Sequence, residues 1–494
     1  MAWLTKSRFL SGLQCHKRLW FEVHRPLEKS VEPGIPVLLG RAFDEAVQGL
    51  QPGVVISRER GMPSAIAETK RVLGQSGRAA TLLYQAAFRA GDLAVVADVL
   101  RRAGAQFELI EVKAATEVKD THVPDAAFQA LVLQRAKIPV GRVFLGLVNN
   151  QFVLRRPGDF AGLLTEVDIT DSVQRYLREA GARALEFQEI MAGDSMPGIG
   201  VGPHCLSPHE CPFLSRCMAG QKTPEYPVDV LPRGGQVVGE LLADGYRDLR
   251  EVPVERLTSD VHRRVFDATV SGLAFFDVAA TVELRGLTYP FSYLDFETIS
   301  YSVPEVIGTR PFEQLPFQWS AHVENAPGDV RHAEYLAIES FGDFETLAHT
   351  LTVALPAAGP IFAYNANFEE RVLLRLAELV PGQAAALRGL AERLVDLLPI
   401  TRAAYYHRDM RGSWSIKNVM PTIAPELGYE QLDEVQEGDE AQRAFLELRG
   451  RNVSPERELV LRAALLKYCR HDTWVMVVLR RFLCGAPLGV APLP

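Results

Sequence analysis

The sequence lacks the features of secreted and membrane-spanning proteins. Lys6 and Arg8 interrupt what would be the apolar part of a signal peptide, so we expect no export. The uncharged run at residues 350–368 contains two prolines, a glycine and two asparagines, which makes it a poor membrane span. The chain also shows no internal repeats or low-complexity tracts. Its 47% hydrophobic and 23% charged residues are typical of a soluble globular protein. Together these features lead us to expect a cytoplasmic protein with no membrane partner.

The sequence also contains few cysteines and has no excess of positive charge. The 494 residues include six cysteines, which without an export signal are expected to be reduced thiols or metal ligands rather than disulfides. The net charge is −8; residues 1–220 carry 26 basic and 23 acidic residues, and the remainder carries 27 and 38. Because local basic patches matter more for nucleic-acid binding than totals do, the charge neither supports nor excludes such a partner.

An acidic pair on a predicted strand opens the second half of the chain. The apolar run at 289–294 predicts a buried strand, and it leads directly into Asp295-Phe-Glu297. Alternate residues of a strand point to the same face, so these two carboxylates point the same way. They repel each other unless cations lie between them, as in a two-metal phosphoryl-transfer site with ions roughly 3.5–4 Å apart. On its own, such a pair is more often a solvated strand end.

A second set of charged residues lies on predicted strands of the first half. Asp98 and, after a turn, Glu111 and Lys113 would come together if their strands form a hairpin. Two carboxylates can hold Mg²⁺ through oxygen ligands, and a lysine can orient the attacking water or stabilise charge on a phosphate. The predicted elements are strands at 81–88, 93–100 and 107–112, a helix at 125–136 and a strand at 141–147. This order resembles the core of the PD-(D/E)XK nucleases.

Three of the six cysteines recur at an even spacing after a long predicted helix. Cys205, Cys211 and Cys217 are six positions apart, and Cys15 could complete a four-thiolate set. Zinc sites usually contain cysteine pairs two to four residues apart, whereas iron–sulfur clusters accept more varied spacings. The spacing therefore favours a [4Fe–4S] cluster, and zinc or no metal are the alternatives.

Taken together, these motifs make residues 1–220 similar to the RecB-like nucleases with an iron–sulfur staple. That group includes the CRISPR-associated single-strand exonucleases and the nuclease domain of the AddB subunit. The resemblance implies that the strand carboxylates bind Mg²⁺ or Mn²⁺, that the lysine is catalytic and that the four cysteines hold the cluster. It also assigns a catalytic role to Gln129. Two positions depart from the family, because Asp44 stands where an early metal-binding histidine is common and Leu133 replaces a tyrosine.

The second half continues with alternating predicted strands and helices. Glu369 falls in the first turn of a helix that follows the strand at 361–364, and the final helix at 454–483 carries Tyr468 and Asp472 four residues apart on one face. The remaining predicted elements are strands at 317–323 and 333–338 and a helix at 343–355.

This order of acids resembles the DEDD exonucleases of the DnaQ-like, ribonuclease H-fold superfamily, in the subgroup with a tyrosine in the third motif. The resemblance implies that the tyrosine orients the attacking water and that the enzyme works from a 3′ end. One departure is Glu369, since the family usually has aspartate there. The implied metal ligands are Asp295, Glu297, Glu369 and Asp472, with Tyr468 as the catalytic residue.

The whole order of motifs resembles a bacterial family known mainly as a domain of unknown function. The resemblance implies an α/β protein with a restriction-endonuclease-like domain at 1–220, a helical connector at 221–288 and a ribonuclease H-like domain at 289–494. It implies a metal-dependent nuclease with two active sites. We expect its substrate to be nucleic acid, most simply single-stranded DNA, and its role to be in repair, recombination or defence. Two alternatives stay open: a nucleic-acid-binding protein with one or both sites vestigial, and a ribonuclease.

Overall fold

The computed structural model describes residues 2–27, 34–75, 82–220, 224–450 and 453–489. The fold is mixed α/β with several sheets, which confirms the predicted class at that level. Residue 81 of the first predicted strand and the beginning of the predicted connector, residues 221–223, lie outside the described residues. No helix within the described ranges is both long enough and apolar enough to cross a bilayer.

The chain divides into two compact units that are interleaved in sequence. The first comprises residues 1–221 together with 301–313, and the second comprises 222–300 together with 314–494. The three-domain division inferred from the sequence stays a prediction.

A mixed sheet of seven strands forms the centre of the first unit. Apart from β1, the strands are ordered β2-β3-β4-β5-β6-β7, where β5 and β6 are parallel and the β3-β4-β5 stretch is antiparallel. The predicted strands and helix of this core are confirmed, with boundaries shifted by at most three residues. The strands are β1 Leu4–Thr5, β2 Val54–Val55, β3 Leu82–Ala90, β4 Leu93–Ala103, β5 Gln106–Lys113, β6 Val140–Val148 and β7 Leu164–Asp168.

Asp98 lies in a gap along one edge of β4. Strand β3 pairs along most of β4 and therefore takes the opposite edge. On the remaining edge, β1 pairs with the first two residues of β4, and β5 pairs from Val99 onward. Among the described residues, no strand pairs with 95–98 on this edge, and the Val112 N–H donates to the Asp98 carboxylate at 3.0 Å instead.

Helices of the first unit cover this sheet and build its apolar core. Phe9 of α1 stacks on Phe128 of α5, with ring centroids 4.6 Å apart, and both rings are buried. The helices are α1 Lys6–Gln14, α2 His16–His24, α3 Ile35–Leu50, α4 Met62–Gln75, α5 His122–Arg135, α6 Thr170–Ala192 and α7 Leu214–Met218.

The second unit contains a five-stranded sheet in the order β11-β10-β9-β12-β13. Strand β9 pairs antiparallel with β10 on one side and parallel with β12 on the other. A separate two-stranded sheet pairs β8 with β14. The strands are β8 Phe275–Phe276, β9 Phe291–Ser300, β10 Gln314–Ala326, β11 Asp329–Leu336, β12 Ile361–Ala363, β13 Leu394–Asp396 and β14 Tyr405–Tyr406.

The longest helix of the second unit, α17, packs on β9 and β10. The Ser454 hydroxyl accepts from the Arg457 N–H at its N-terminus, Pro455 is its first residue, and Gly485 ends it in the left-handed conformation. These signals confirm the predicted boundaries of the helix. The helices are α8 Gly235–Ala243, α9 Asp260–Ser271, α10 Val282–Gly286, α11 Phe344–Ala354, α12 Asn367–Leu379, α13 Ala384–Ala391, α14 Leu397–Ala404, α15 Ile416–Val419, α16 Gly438–Leu448 and α17 Pro455–Cys484.

Candidate active sites

The acidic pair of the second unit lies inside strand β9, not at its end as the sequence suggested. The prediction was wrong because β9 keeps pairing with β10 as far as Ser300. On its other side, β12 pairs only opposite the beginning of β9, with the last partners Phe362 and Tyr293. Asp295 and Glu297 therefore follow the point where the parallel partner has left the sheet.

The chain leaving β12 brings a third carboxylate to this edge. Asn365 turns the chain with a positive φ of 74°, and its N–H donates to the Asp396 carboxylate at 2.9 Å. Helix α12 begins two residues later and, as predicted, carries Glu369 in its first turn. Asp396 itself caps α14 by accepting from the Leu398 N–H.

Helix α17 supplies the remaining groups of the second-unit site. Possible ligand atoms of Asp295, Glu297 and Cys469 lie within 4.8 Å of one another, and the Cys469 thiol donates to Asp295 Oδ2 at 3.4 Å. Tyr468 and Asp472 lie four residues apart on the same face of α17, and burial and the Asp472 charge raise the pKa of Tyr468. The sequence had given Cys469 no role, because a lone helical cysteine carries no signal of its position.

Burial raises the pKa of all four carboxyl groups at this site. Repulsion from Asp472 adds to the rise at Asp295 and Glu297, whose pKa values lie well above their usual range. The pKa of Glu369 rises to about 8, mainly through burial and further through Asp396. The pKa of Asp472 rises to about 6 through burial. A group of acids buried so closely is unfavourable when it is fully ionised without cations.

Two further residues oppose the rise in the pKa of Asp472. The Tyr429 hydroxyl donates to Asp472 Oδ1, and the Lys417 ammonium lowers the pKa values of both Asp472 and Glu297. Lys417 Nζ also lies 5.2 Å from the Tyr429 ring centre and 5.4 Å from that of Tyr468. Sequence reasoning missed both residues, since neither belongs to a motif that it used.

The donor set of the second-unit site fits a hard divalent cation. Four carboxylates supply the oxygen ligands that Mg²⁺ and Mn²⁺ prefer. Glu369 Oε2 is buried and has no hydrogen-bond partner within the described part of the chain. A buried carboxylate oxygen without a partner is costly, and a bound cation would remove that cost.

In the first unit, the predicted strand residues do come together. Glu111 is fully buried on β5, and Lys113 Nζ donates to its Oε1 at 2.5 Å. Gln129 of α5 donates to Glu111 Oε2, and its own Oε1 is buried without a partner among the described residues. Asp98 lies beside this part of β5, since its carboxylate accepts from the N–H of Val112, the residue after Glu111, at 3.0 Å.

Two more charged residues at the first-unit site were missed by sequence reasoning. Asp125, in the first turn of α5, accepts from Lys113 Nζ at 2.5 Å. Lys6, the first residue of α1, donates to Glu111 Oε1 at 2.7 Å. Both stand far from the strand motif in sequence, so only the packing of α1 and α5 on the sheet could reveal them.

Burial and neighbouring charges shift the pKa values of the first-unit acids in opposite directions. Burial acts to raise the pKa of Glu111, but Lys6 and Lys113 together hold it well below its usual range. The pKa of Asp98 is raised well above its usual range by burial and by Glu111. Burial and Glu111 also raise the pKa of Asp44 to about 6, which places this α3 residue near the same acids. Three carboxylates besides Asp44 face two ammonium groups, and this excess of negative charge fits a divalent cation.

The four cysteines are gathered around the junction of α1 and α2. Cys15 lies between those helices, and the Gln14 side chain donates to the carbonyls of His204, at 2.8 Å, and His209, at 2.6 Å. The first of these carbonyls directly precedes Cys205, and the second belongs to the residue two positions before Cys211. Both thiols are buried in an apolar cluster, and burial raises the pKa of Cys211, with further contributions from Cys15 and Cys205. Four thiols could hold a metal group that stabilises the ionised sulfurs, but among the described residues no three of these sulfurs lie within 4.8 Å of one another.

Comparison with known families gives a match that begins in the second unit and includes residues 301–313 of the first. The family described as "Domain of unknown function (DUF2779)" matches residues 292–415. The DUF2779 match covers 124 of the 494 residues and includes the acids of β9 and α12, but it ends before α17.

Two curated proteins are similar to part of the chain. "Uncharacterized protein MG366" of Mycoplasma genitalium is 27% identical over 210 residues, which is 39% of this chain and 31% of that protein. "Uncharacterized protein MG366 homolog" of Mycoplasma pneumoniae is 29% identical over 212 residues, which is 39% of this chain and 32% of that protein. The chain thus matches about a third of the length of each relative.

Proposed function

We propose that the chain is a metal-dependent nuclease with two active sites. The first would be a RecB-like PD-(D/E)XK site in the first unit, and the second a DEDD-type, ribonuclease H-like 3′–5′ exonuclease site in the second unit. The substrate would be nucleic acid, most simply single-stranded DNA. The observation that carries the proposal is that each unit gathers at least three buried or half-buried carboxylates around one point, with too few cations to neutralise them.

In the second unit, the acids would hold Mg²⁺ or Mn²⁺, which when bound supplies Lewis acidity and activates water. The chain's own residues set the geometry. Strand β9 fixes the acidic pair, and the Tyr429 hydroxyl holds Asp472 by donating to Oδ1. Burial raises the pKa of Tyr468, so its phenol stays protonated and can donate a hydrogen bond to a water or phosphate oxygen.

In the first unit, Asp98 and Glu111 would hold the metal ion. Lys113 keeps its ammonium between Glu111 and Asp125, close enough to the acids to stabilise charge on a phosphate. Gln129 donates to both of those carboxylates and so fixes their relative orientation.

The test of this function is to separate the two sites by point variants. End-labelled single- and double-stranded DNA and RNA would be digested with Mg²⁺ or Mn²⁺ by wild type, Asp98→Ala and Asp295→Ala. We expect each variant to abolish one activity and keep the other, because the two sites share no ligands. Absence of any effect of Asp98→Ala would make the first unit a binding module, and activity retained by the double variant would refute both assignments.

We also propose that Cys15, Cys205, Cys211 and Cys217 bind a [4Fe–4S] cluster, with zinc as the alternative. Protein purified without oxygen should then be brown and contain iron and labile sulfide. Cys205→Ser should lose the colour and much of its solubility, because the metal group would join the two ends of the cysteine-bearing region. Cys484→Ser is the matched control and should keep both. Colourless protein with one zinc per chain would refute the cluster.

A further inference from the structure

Lys6 reaches the first-unit site from the first residue of α1, outside the strand motif. Its ammonium lies 2.7 Å from Glu111 Oε1 and 3.7 Å from Asp125 Oδ1. Lys113 lies 2.5 Å from the same Glu111 oxygen and 2.5 Å from the other oxygen of Asp125. Two ammonium groups thus bridge the same pair of carboxylates.

The position of Lys6 is set by the sheet and not by a flexible side chain alone. Strand β1 pairs with β4 at Leu4 and Thr5, and Lys6 follows immediately. Because β1 and β5 share one edge of β4, the chain enters α1 beside the gap that holds Asp98. The stacking of Phe9 on Phe128 then holds α1 against α5, the helix that carries Asp125.

This arrangement leaves little room for a metal ion on Glu111. A carboxylate oxygen offers about two lone-pair positions, and Glu111 Oε1 accepts from both lysines while Oε2 accepts from Gln129. A metal ion that binds Glu111 must therefore displace one of these hydrogen-bond donors or share a carboxylate oxygen with that donor. Lys113 is also bonded to Asp125 at 2.5 Å, whereas Lys6 is 3.7 Å from that carboxylate, so Lys6 is the less firmly held of the two.

We propose that Lys6 is an internal cation that competes with the divalent metal ion for Glu111 and so raises the metal concentration that the first-unit site requires. The inference rests on the proposed nuclease function of this site and specifies how the site is regulated. A unit charge within a few ångströms of a divalent ion opposes its binding even when water screens part of the repulsion. Removing the charge should therefore tighten metal binding, which is the opposite of what a loosened fold would do.

The experiment measures Mn²⁺ binding to the full chain by electron paramagnetic resonance of the free ion. The Asp295→Ala background limits binding to the first unit, and Glu111→Gln identifies the part that depends on this site. Lys6→Met and Lys6→Gln should each tighten the Glu111-dependent binding by roughly tenfold or more, since both remove the positive charge. The Mn²⁺ concentration giving half-maximal nuclease activity should fall in parallel.

Two controls separate charge from side-chain shape and from surface charge in general. Lys6→Arg keeps the charge and should leave the affinity within about threefold of wild type. Lys17→Met removes an ammonium that lies 3.4 Å from the Ile199 carbonyl and should change nothing. If Lys6→Met and Lys6→Gln both leave Glu111-dependent Mn²⁺ binding unchanged or weaken it, the competition between Lys6 and the metal ion is refuted. The proposed nuclease function of the first unit is not refuted by that result. Absence of Glu111-dependent binding in every variant overturns the proposed first-unit function together with the competition.

Discussion

In a chain that carries Asp98→Ala, the further substitution Asp295→Ala is expected to reduce hydrolysis of single-stranded DNA to an undetectable level. A possible ligand oxygen of Asp295 lies within 4.8 Å of the possible ligand atoms of Glu297 and Cys469, so the loss of Asp295 should remove a metal ligand. Tyr468→Phe should be milder, slowing hydrolysis by roughly 10–10³-fold, because it removes up to one hydrogen bond made in the transition state. Substrate binding should change little, since the ring remains.

The same experiment tests the direction of degradation. Single-turnover rates on a strand with a free 3′ end and on a 3′-blocked strand would be compared in the Asp98→Ala protein. DEDD-type sites, by resemblance, act from the 3′ end, so blocking should stop degradation. Unimpaired degradation of the blocked strand would contradict the assigned polarity, and equal rates for Tyr468→Phe and wild type would remove the tyrosine from the mechanism.

Metal binding at the second-unit site is expected to strengthen steeply with pH. The pKa of Glu369 is raised to about 8 and that of Asp472 to about 6, so metal ions must displace protons from one or both below these values. One displaced proton changes the affinity by up to about tenfold per pH unit, which predicts roughly 100-fold between pH 6 and pH 8. Calorimetric titration of Mn²⁺ into an Asp98→Ala, Glu111→Ala protein would measure this, with Glu369→Gln as the variant that should flatten the slope. An Mn²⁺ affinity that does not change with pH in the parent protein would contradict this prediction.

The metal-free protein should respond to pH in the opposite sense. A carboxyl group whose pKa is higher in the folded than in the unfolded chain stabilises the fold below its unfolded pKa, and this contribution is lost as the pH rises through the folded pKa. For Glu369 and Asp472, the loss extends from about pH 4 to about pH 8. Thermal unfolding with a chelator should therefore show a smaller decline in Glu369→Gln than in the parent, and added Mn²⁺ should restore stability most at high pH.

Sequence patterns were sufficient for the elements that carry their own signals. Apolar runs and turn residues located the strands around Asp98 and Glu111, and the Ser454-Pro455 cap located α17. The two-residue period of a strand predicted that the Asp295 and Glu297 side chains lie on the same face. Each of these inferences uses only neighbouring residues.

The site residues that sequence patterns did not reveal are brought to the acids by tertiary packing. These residues reach the acids only because separate elements pack together, and their local sequence is that of ordinary surface or core positions. They are Lys6, Asp125, Lys417 and Tyr429. The extent of β9 was missed for the same reason, since its pairing with β10 and not its own residues carries the strand past the acids to Ser300.

The interleaving of the two units limits how the activities can be dissected genetically. Residues 301–313 belong to the first unit although β9 and β10 on either side belong to the second. Ser302 donates to the Leu39 carbonyl at 2.6 Å, Thr309 accepts from the Leu154 N–H at 3.1 Å, and Phe312 packs in the first unit's apolar cluster. A gene fragment that begins near residue 222 would encode this loop without its partners and expose an apolar surface that favours aggregation. Truncation would therefore confuse loss of a catalytic site with loss of folding, and only point variants in the intact chain can assign each cleavage activity to its own acids.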